Sequence, residues 1–409
     1  MLRLLSWRQI RPASCAILRA TATTTTPTTT TATAAASSYS RSSHSKPFIL
    51  SRSMSTSQAP LPLCTAPVPA LSQPLKVACV QLLAGEDKAA NLRLAREKVL
   101  EAAANRAGLV VLPECFNSPF DLSRFGQFAE AVPLRKEREQ PGGPDTEKYP
   151  SFVALSNMAR DANVYLVGGS IPERSLFPPS ASIETSDPTQ EQMKKAKEWA
   201  GLDHTGKEYV YLYNTSLTFN PQGTLIGVHR KIHLFDIDIP GKITFKESST
   251  VSPGCMPTLI NLPPYGTIGV QICYDIRFPE LTAIYARKGA FAVITPAAFN
   301  LTTGPLHWEL LMRARANDNQ LYMAICSPAR TGPEVGGYKA WGESMIVDPM
   351  GRVLRKADGG NEGIEYAELK PEEIVSTRAG IPVSLQRRWD VYPDMSKNLE
   401  VGDGLALFD

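Results

Sequence analysis

The sequence reads as an α/β protein of two related halves, packed as two sheets with helices outside, and three observations lead there. Strand-like and helix-like segments alternate from residue 75 onward, a turn of one design occurs twice, and two buried runs each end on a reactive group. PLKVACVQLL reads as a strand. DKAANLRLAREKVLEAAANRAG reads as a helix with Asp87 as N-cap, Leu92, Ala95 and Val99 on one face, and Gly108 as its stop. GLVVLPE is a second buried strand. NTSLTFNPQGTLIGVHRK and ESMIVDPMGRVLRK carry Asn-Pro-x-Gly and Asp-Pro-x-Gly between apolar runs. Proline second and glycine fourth suit a type I turn, so each reads as a β-hairpin. GLVVLPE ends on a carboxylate and GTIGVQICYD on a thiol. Propensity alone leaves a doubly wound single sheet open as the alternative.

The chain has 409 residues, 43% of them hydrophobic, enough for a substantial core. Its charge of +3 is unevenly spread: no Asp or Glu precedes Glu86, and residues 1–57 hold seven cations, so without them the charge is −4. The basic balance belongs to that leader, and nothing points to nucleic acid. An Arg-rich, Ser/Thr-rich, acid-free leader with Leu2, Leu5, Ile10 and Ile17 able to line one helical face has the composition of a mitochondrial transit peptide, directing the chain to the matrix. A plain disordered extension is the rival reading, and Met54 could start a shorter cytosolic form. Residues 58–74 read as a Pro-rich linker, 75–395 as one large domain, and 396–409 as a C-terminal tail. The seven cysteines form no C-x-x-C pair, which argues against a disulfide framework or zinc knuckle. No stretch approaches the ~18 apolar residues of a membrane-spanning helix. Residues 131–148, charged and Pro/Gly-rich, and residues 174–207, without sustained apolar periodicity, look like insertions and are expected as surface loops.

Ligands of α/β sheets collect beyond the carboxyl ends of strands. Glu114 and Cys273 sit at such ends, and Lys231 directly follows the second strand of the first hairpin. A thiol, a carboxylate and an ammonium together suit acyl transfer: the thiol attacks, the carboxylate moves protons, and the ammonium stabilises the oxyanion and favours the thiolate. Singly, each has a plain structural reading: a capping glutamate, a solvated lysine, a core cysteine. His229 and His233 flank Lys231 at i and i+4, but the segment reads as extended and lacks the carboxylate of H-E-x-x-H, so metal ligation is disfavoured.

VLPECFNSPF, YLVGGSIPE, LYNTSLTFNPQGTLIGVHRKIHLFDIDIPGKITFKES, ICYDIRFPEL, FNLTTGPLHWELLMRARANDNQ and SPAR together resemble the omega-amidase branch of the nitrilase superfamily, over roughly residues 75–395. The resemblance implies an αββα sandwich that associates through its outer layers into a homodimer or larger homo-oligomer. It implies a catalytic Glu114, Lys231 and Cys273, with Glu247 as a second, positioning glutamate and an oxyanion held by Lys231 and the amide of Tyr274. The substrates it implies are short dicarboxylic monoamides such as 2-oxoglutaramate and 2-oxosuccinamate, handled with no metal or organic cofactor. A carboxylate remote from the amide needs a cation, and Arg277 is the natural bidentate clamp; its plain reading is a salt bridge with Glu280 or Asp275. Thr303 resembles the family's hydroxyl donor to that carboxylate. Phe299 and Phe116 could wall the pocket or belong to the core. Two departures stand out: Phe120 where relatives often have tyrosine after N-S-P, and a longer insertion at 174–207. The rivals are an amidase of the same superfamily acting on deaminated glutathione or an N-carbamoyl compound, and a non-catalytic scaffold that keeps the fold.

Overall fold

The computed structural model describes residues 71–175, 211–332 and 337–408. The leader and most of the 174–207 insertion lie outside the described residues. The first sheet contains β1 (Leu75–Gln81), β2 (Leu109–Val111), β3 (Tyr165–Val167), β4 (Ile171–Ser175), β5 (Tyr211–Phe219) and β6 (Leu225–Arg230). A small two-stranded sheet, β7 (Asp236–Ile239) and β8 (Ile243–Lys246), follows it. The second large sheet holds β9 (Thr258–Leu262), β10 (Gly266–Val270), β11 (Ala290–Pro296), β12 (Tyr322–Cys326), β13 (Met345–Val347) and β14 (Val353–Lys356). Finally β15 (Gly363–Leu369) returns to the first sheet beside β1.

The two halves repeat one plan. β1, β2 and β3 run parallel, flanked by antiparallel β15 and β5; β10, β11 and β12 run parallel, flanked by antiparallel β9 and β13. Each ends in a predicted hairpin, β5–β6 and β13–β14. Both turns close as their sequences require: Gly223 N–H donates to Asn220 O and Gly351 N–H to Asp348 O, each at 2.9 Å. Two separate sheets exclude the doubly wound alternative.

The alternation of strand side chains sorts the core into three layers. Val77, Cys79, Val111 and Val167 face Ile260, Ile268, Ile294 and Ala324 between the sheets. On the outer side of the first sheet, Ala78, Val80 and Leu166 pack against Ala95, Val99, Leu155 and Met158 of helices Lys88–Ala104 and Pro150–Ala162. Val293, Met323 and Ile325 do the same against Tyr285, Trp308 and Met312 of helices Pro279–Arg287 and Gly304–Asn319. The result is α, β, β, α.

Details differ from the sequence reading. Asp87 does cap the first helix, accepting from Ala90 N–H at 3.1 Å, but the helix ends at Ala104, before Gly108. Gly108 serves close packing instead, since a Cβ there would lie 2.9 Å from Leu75 Cδ1. Residues 131–148 include a short helix, Arg135–Arg138, tied down by the Glu137 carboxylate, which accepts from Leu134 N–H and Tyr149 OH. Arg174 and Ser175, assigned to the insertion, belong to β4 and pair with Leu212 and Tyr211. The stretch set apart as a tail joins the body: Asp403 O accepts from Val228 N–H at 2.7 Å, Gly402 O from Leu259 N–H at 2.9 Å, and Phe408 is buried beneath the Arg230 guanidinium. No helix among the described residues is long and apolar enough to cross a membrane.

Candidate active site

Glu114 stands just past the end of β2, where Gly169 shapes the turn behind it. Gly169 has φ of 59°, and a Cβ there would sit 2.1 Å from the Pro113 carbonyl oxygen, so only glycine lets the chains approach. The next residue, Ser170, donates its N–H to Pro113 O and accepts from Cys115 N–H, bracketing Glu114 from both sides. Lys231 follows β6, whose pairing with β5 carries it to Asn214: Lys231 N–H donates to Asn214 O at 2.9 Å. Glu247 opens a short 3-10 helix after β8.

These three groups meet in the interior. Lys231 Nζ lies 3.1 Å from Glu114 Oε1 and 2.9 Å from Glu247 Oε2, with all three side chains at most 1% exposed. Other donors reach the same carboxylates. Glu114 also accepts from Asn214 Nδ2 at 2.8 Å and Ala298 N–H at 2.7 Å, and Glu247 from Phe235 N–H at 2.6 Å. Asn214 and Ala298 carried no sequence signal, because neither belongs to a residue type that marks a site.

Cys273 follows β10 and opens a 3-10 helix, Cys273–Arg277, with φ of 47°. That left-handed conformation costs a non-glycine residue about 1–3 kcal/mol and persists only where the surroundings enforce it. Asp275 enforces it. Its fully buried carboxylate accepts from Ile272 N–H at 2.9 Å, His233 N–H at 2.8 Å, His233 Nδ1 at 2.8 Å and His229 Nε2 at 3.2 Å. Burial opposes its charge, but hydrogen bonds from His229 and His233 hold the carboxyl far below the usual carboxylate range. The two histidines thus tie the Cys273 turn to the strand end that bears Lys231. Among the described residues no group of three or more His, Cys, Asp or Glu is arranged to hold a metal ion.

Arg277 forms no ion pair among the described residues, and the salt bridge with Asp275 or Glu280 is absent. Its guanidinium lies over the rings of Phe299, at 4.9 Å, and Tyr274, at 5.5 Å, with Nη1 3.1 Å from His307 Nδ1. Phe299 is buried on Trp308. Thr303 precedes helix Gly304–Asn319 with its hydroxyl donating to Asn300 Oδ1 at 3.1 Å. Phe116 belongs to the core under the first helix layer. Phe120 instead walls a cavity of about 790 Å³ that reaches Glu114, its ring tilted against Tyr338 at 4.5 Å and stacked on Phe245 at 6.2 Å. The missing hydroxyl therefore falls at this aromatic wall.

A family model described as carbon-nitrogen hydrolase matches residues 76–379. The chain belongs to the carbon-nitrogen hydrolase family. Omega-amidase NIT3 of Saccharomyces cerevisiae is 45% identical over 329 residues, covering 80% of this chain and 97% of that protein. Omega-amidase NIT2 of Homo sapiens is 42% identical over 317 residues, covering 78% and 96%. The crystal structure of Saccharomyces cerevisiae Nit3, a member of branch 10 of the nitrilase superfamily, matches with a TM-score of 0.61 and 43% identity over 78% of this chain and 98% of that one.

In this carbon-nitrogen hydrolase the electrostatics of the thiol reverse one expectation. Lys231 was expected to favour the Cys273 thiolate, yet burial and the Glu114 carboxylate together outweigh its attraction and push the thiol well above the ordinary cysteine range. Burial is the larger cause, and the charge balance adds to it: one ammonium between two carboxylates leaves the cluster at −1, and a buried thiolate would make it −2. Burial also raises Glu114, against the pull of Lys231. A neutral thiol hydrogen-bonded to a carboxylate of raised basicity suits proton transfer during attack rather than a standing thiolate. Alkylation of Cys273 by iodoacetamide, followed by peptide mass spectrometry against pH, is expected to keep rising beyond pH 9. A plateau below pH 8 would mean a preformed thiolate.

Proposed function

We propose that the chain is an omega-amidase that hydrolyses the terminal amide of 2-oxoglutaramate and 2-oxosuccinamate to the 2-oxo dicarboxylate and ammonia through a thioester on Cys273. The observation that carries the substrate class is Arg277. A guanidinium set four residues past the nucleophile, held over two rings and lacking a carboxylate partner among the described residues, suits a substrate that brings its own carboxylate. The omega-amidase relatives support the same reading.

In this mechanism Glu114 takes the Cys273 proton as sulfur attacks the amide carbon, then delivers it to the departing nitrogen. Lys231 Nζ and the Tyr274 amide receive the oxyanion. Tyr274 lies in the first turn of its short helix, where N–H groups lack partners within the helix. Glu247, fixed by Phe235 N–H, keeps Lys231 in place. Water activated by Glu114 then cleaves the thioester and restores the thiol. Assembly through the outer layer is part of the proposal: Leu306 and Leu310, one turn apart and each 62% exposed, would be covered by a second copy, which light scattering tests and a monomer contradicts. The leader would direct the chain to the mitochondrial matrix, with a form from Met54 in the cytosol; terminal sequencing of both pools distinguishes these.

Ammonia release should favour 2-oxoglutaramate over deaminated glutathione and over a simple nitrile at equal concentration; the opposite preference refutes this account of the pocket. Cys273→Ala should lower kcat on the order of 10⁴-fold or more with the melting temperature retained. Arg277→Glu should lose at least about 100-fold in kcat/KM with far smaller loss of thermal stability, whereas equal loss of both would make Arg277 structural.

A further inference from the structure

Arg277 is held in place by something other than an acid. Its Nη1 lies 3.1 Å from His307 Nδ1, in the first turn of helix Gly304–Asn319. A guanidinium has only donors, so Nδ1 must be the acceptor and His307 must be neutral, with its proton on Nε2. Protonating Nδ1 would remove the acceptor and set two cations face to face. The helix start adds its own partial positive charge against that protonation.

Among the described residues no carboxylate acts on His307 to offset this. From the Cys273 turn Arg277 faces the thiol of Cys273 and the phenol of Tyr274, and from the loop at 338 the phenol of Tyr338, none of them a carboxylate. From the same helix as His307, the Arg315 guanidinium grips the carbonyls of Ile276 and Arg277 at 3.0 Å each, adding positive charge, with Asp318 and Glu280 acting on Arg315. Burial and Arg277 both push His307 below its ordinary value.

We propose that His307 is the positioning residue that aims Arg277 at the carboxylate remote from the amide, and that only its neutral form does so. This rests on the omega-amidase reading and deepens it: a side chain outside the Glu-Lys-Cys set governs how tightly the carboxylate is held. Because His307 titrates below its usual 6.5, the effect is absent at neutral pH and grows on acidification, while the substrate carboxylate stays ionised.

The test is steady-state ammonia release by the full protein with 2-oxoglutaramate and with butyramide, which lacks the carboxylate, from pH 5 to 8. For the parent, the ratio of the two KM values should move against 2-oxoglutaramate as pH falls below about 6.5. His307→Ala should raise KM for 2-oxoglutaramate about tenfold at pH 7.5, the order expected for a lost hydrogen bond to a charged group, with kcat and the butyramide KM changed less than about twofold. His307→Asn, whose Oδ1 can replace Nδ1 as acceptor, should restore the KM and flatten its acid limb. If the parent hydrolyses 2-oxoglutaramate but His307→Ala leaves its KM unchanged, or raises both KM values alike, the positioning role is wrong while the omega-amidase reading stands. A parent that releases no ammonia from 2-oxoglutaramate overturns both.

Discussion

A buried ammonium between two buried carboxylates is the constraint on which the rest of the molecule depends. Removing three charges from water costs several kcal/mol per ion, and only close geometry with satisfied lone pairs offsets that. Lys231, Glu114 and Glu247 meet the condition through Asn214, the Ala298 amide and the Phe235 amide. The arrangement leaves one net negative charge beside Cys273. Burial, with the Glu114 carboxylate added to it, holds the thiol in its protonated form, and burial raises Glu114 against the pull of Lys231, a pairing that suits passage of the thiol proton to Glu114.

Delivering these groups to one place is the work of the doubled fold. Glu114 comes from the strand ends of the first sheet and Cys273 with Ala298 from those of the second, while the β5–β6 hairpin brings Asn214 and Lys231. Asp275 closes the frame, joining the Cys273 turn to His229 and His233 on either side of Lys231. A lysine bracketed in this way has little freedom to drift from the thiol.

Much of this was legible from residue order. Strand ends carrying Glu114 and Cys273, and two Asn/Asp-Pro-x-Gly turns, gave the paired halves, because turn chemistry and side-chain alternation are local properties. The end of the first hairpin gave Lys231, and the family resemblance supplied Glu247. What stayed hidden was relational. Nothing local says that Asp275, two residues past the thiol, accepts from two histidines more than forty positions away. The sign of the shift on Cys273 required knowing how deeply the thiol is buried and that Glu114 stands beside it. Gly108 was read as a helix stop because glycine does that work often; its contact with Leu75 is visible only in three dimensions. Residues 396–409 read as a tail outside the domain because their pairing with Val228 and Leu259 is remote in sequence.

The most direct test of the central claim is acid-quenched mass spectrometry of the enzyme during turnover of 2-oxoglutaramate. The account expects the substrate's acyl group, minus ammonia, on the peptide that carries Cys273, disappearing as substrate is exhausted. An adduct on another residue, such as Cys115 beside Glu114, would contradict it.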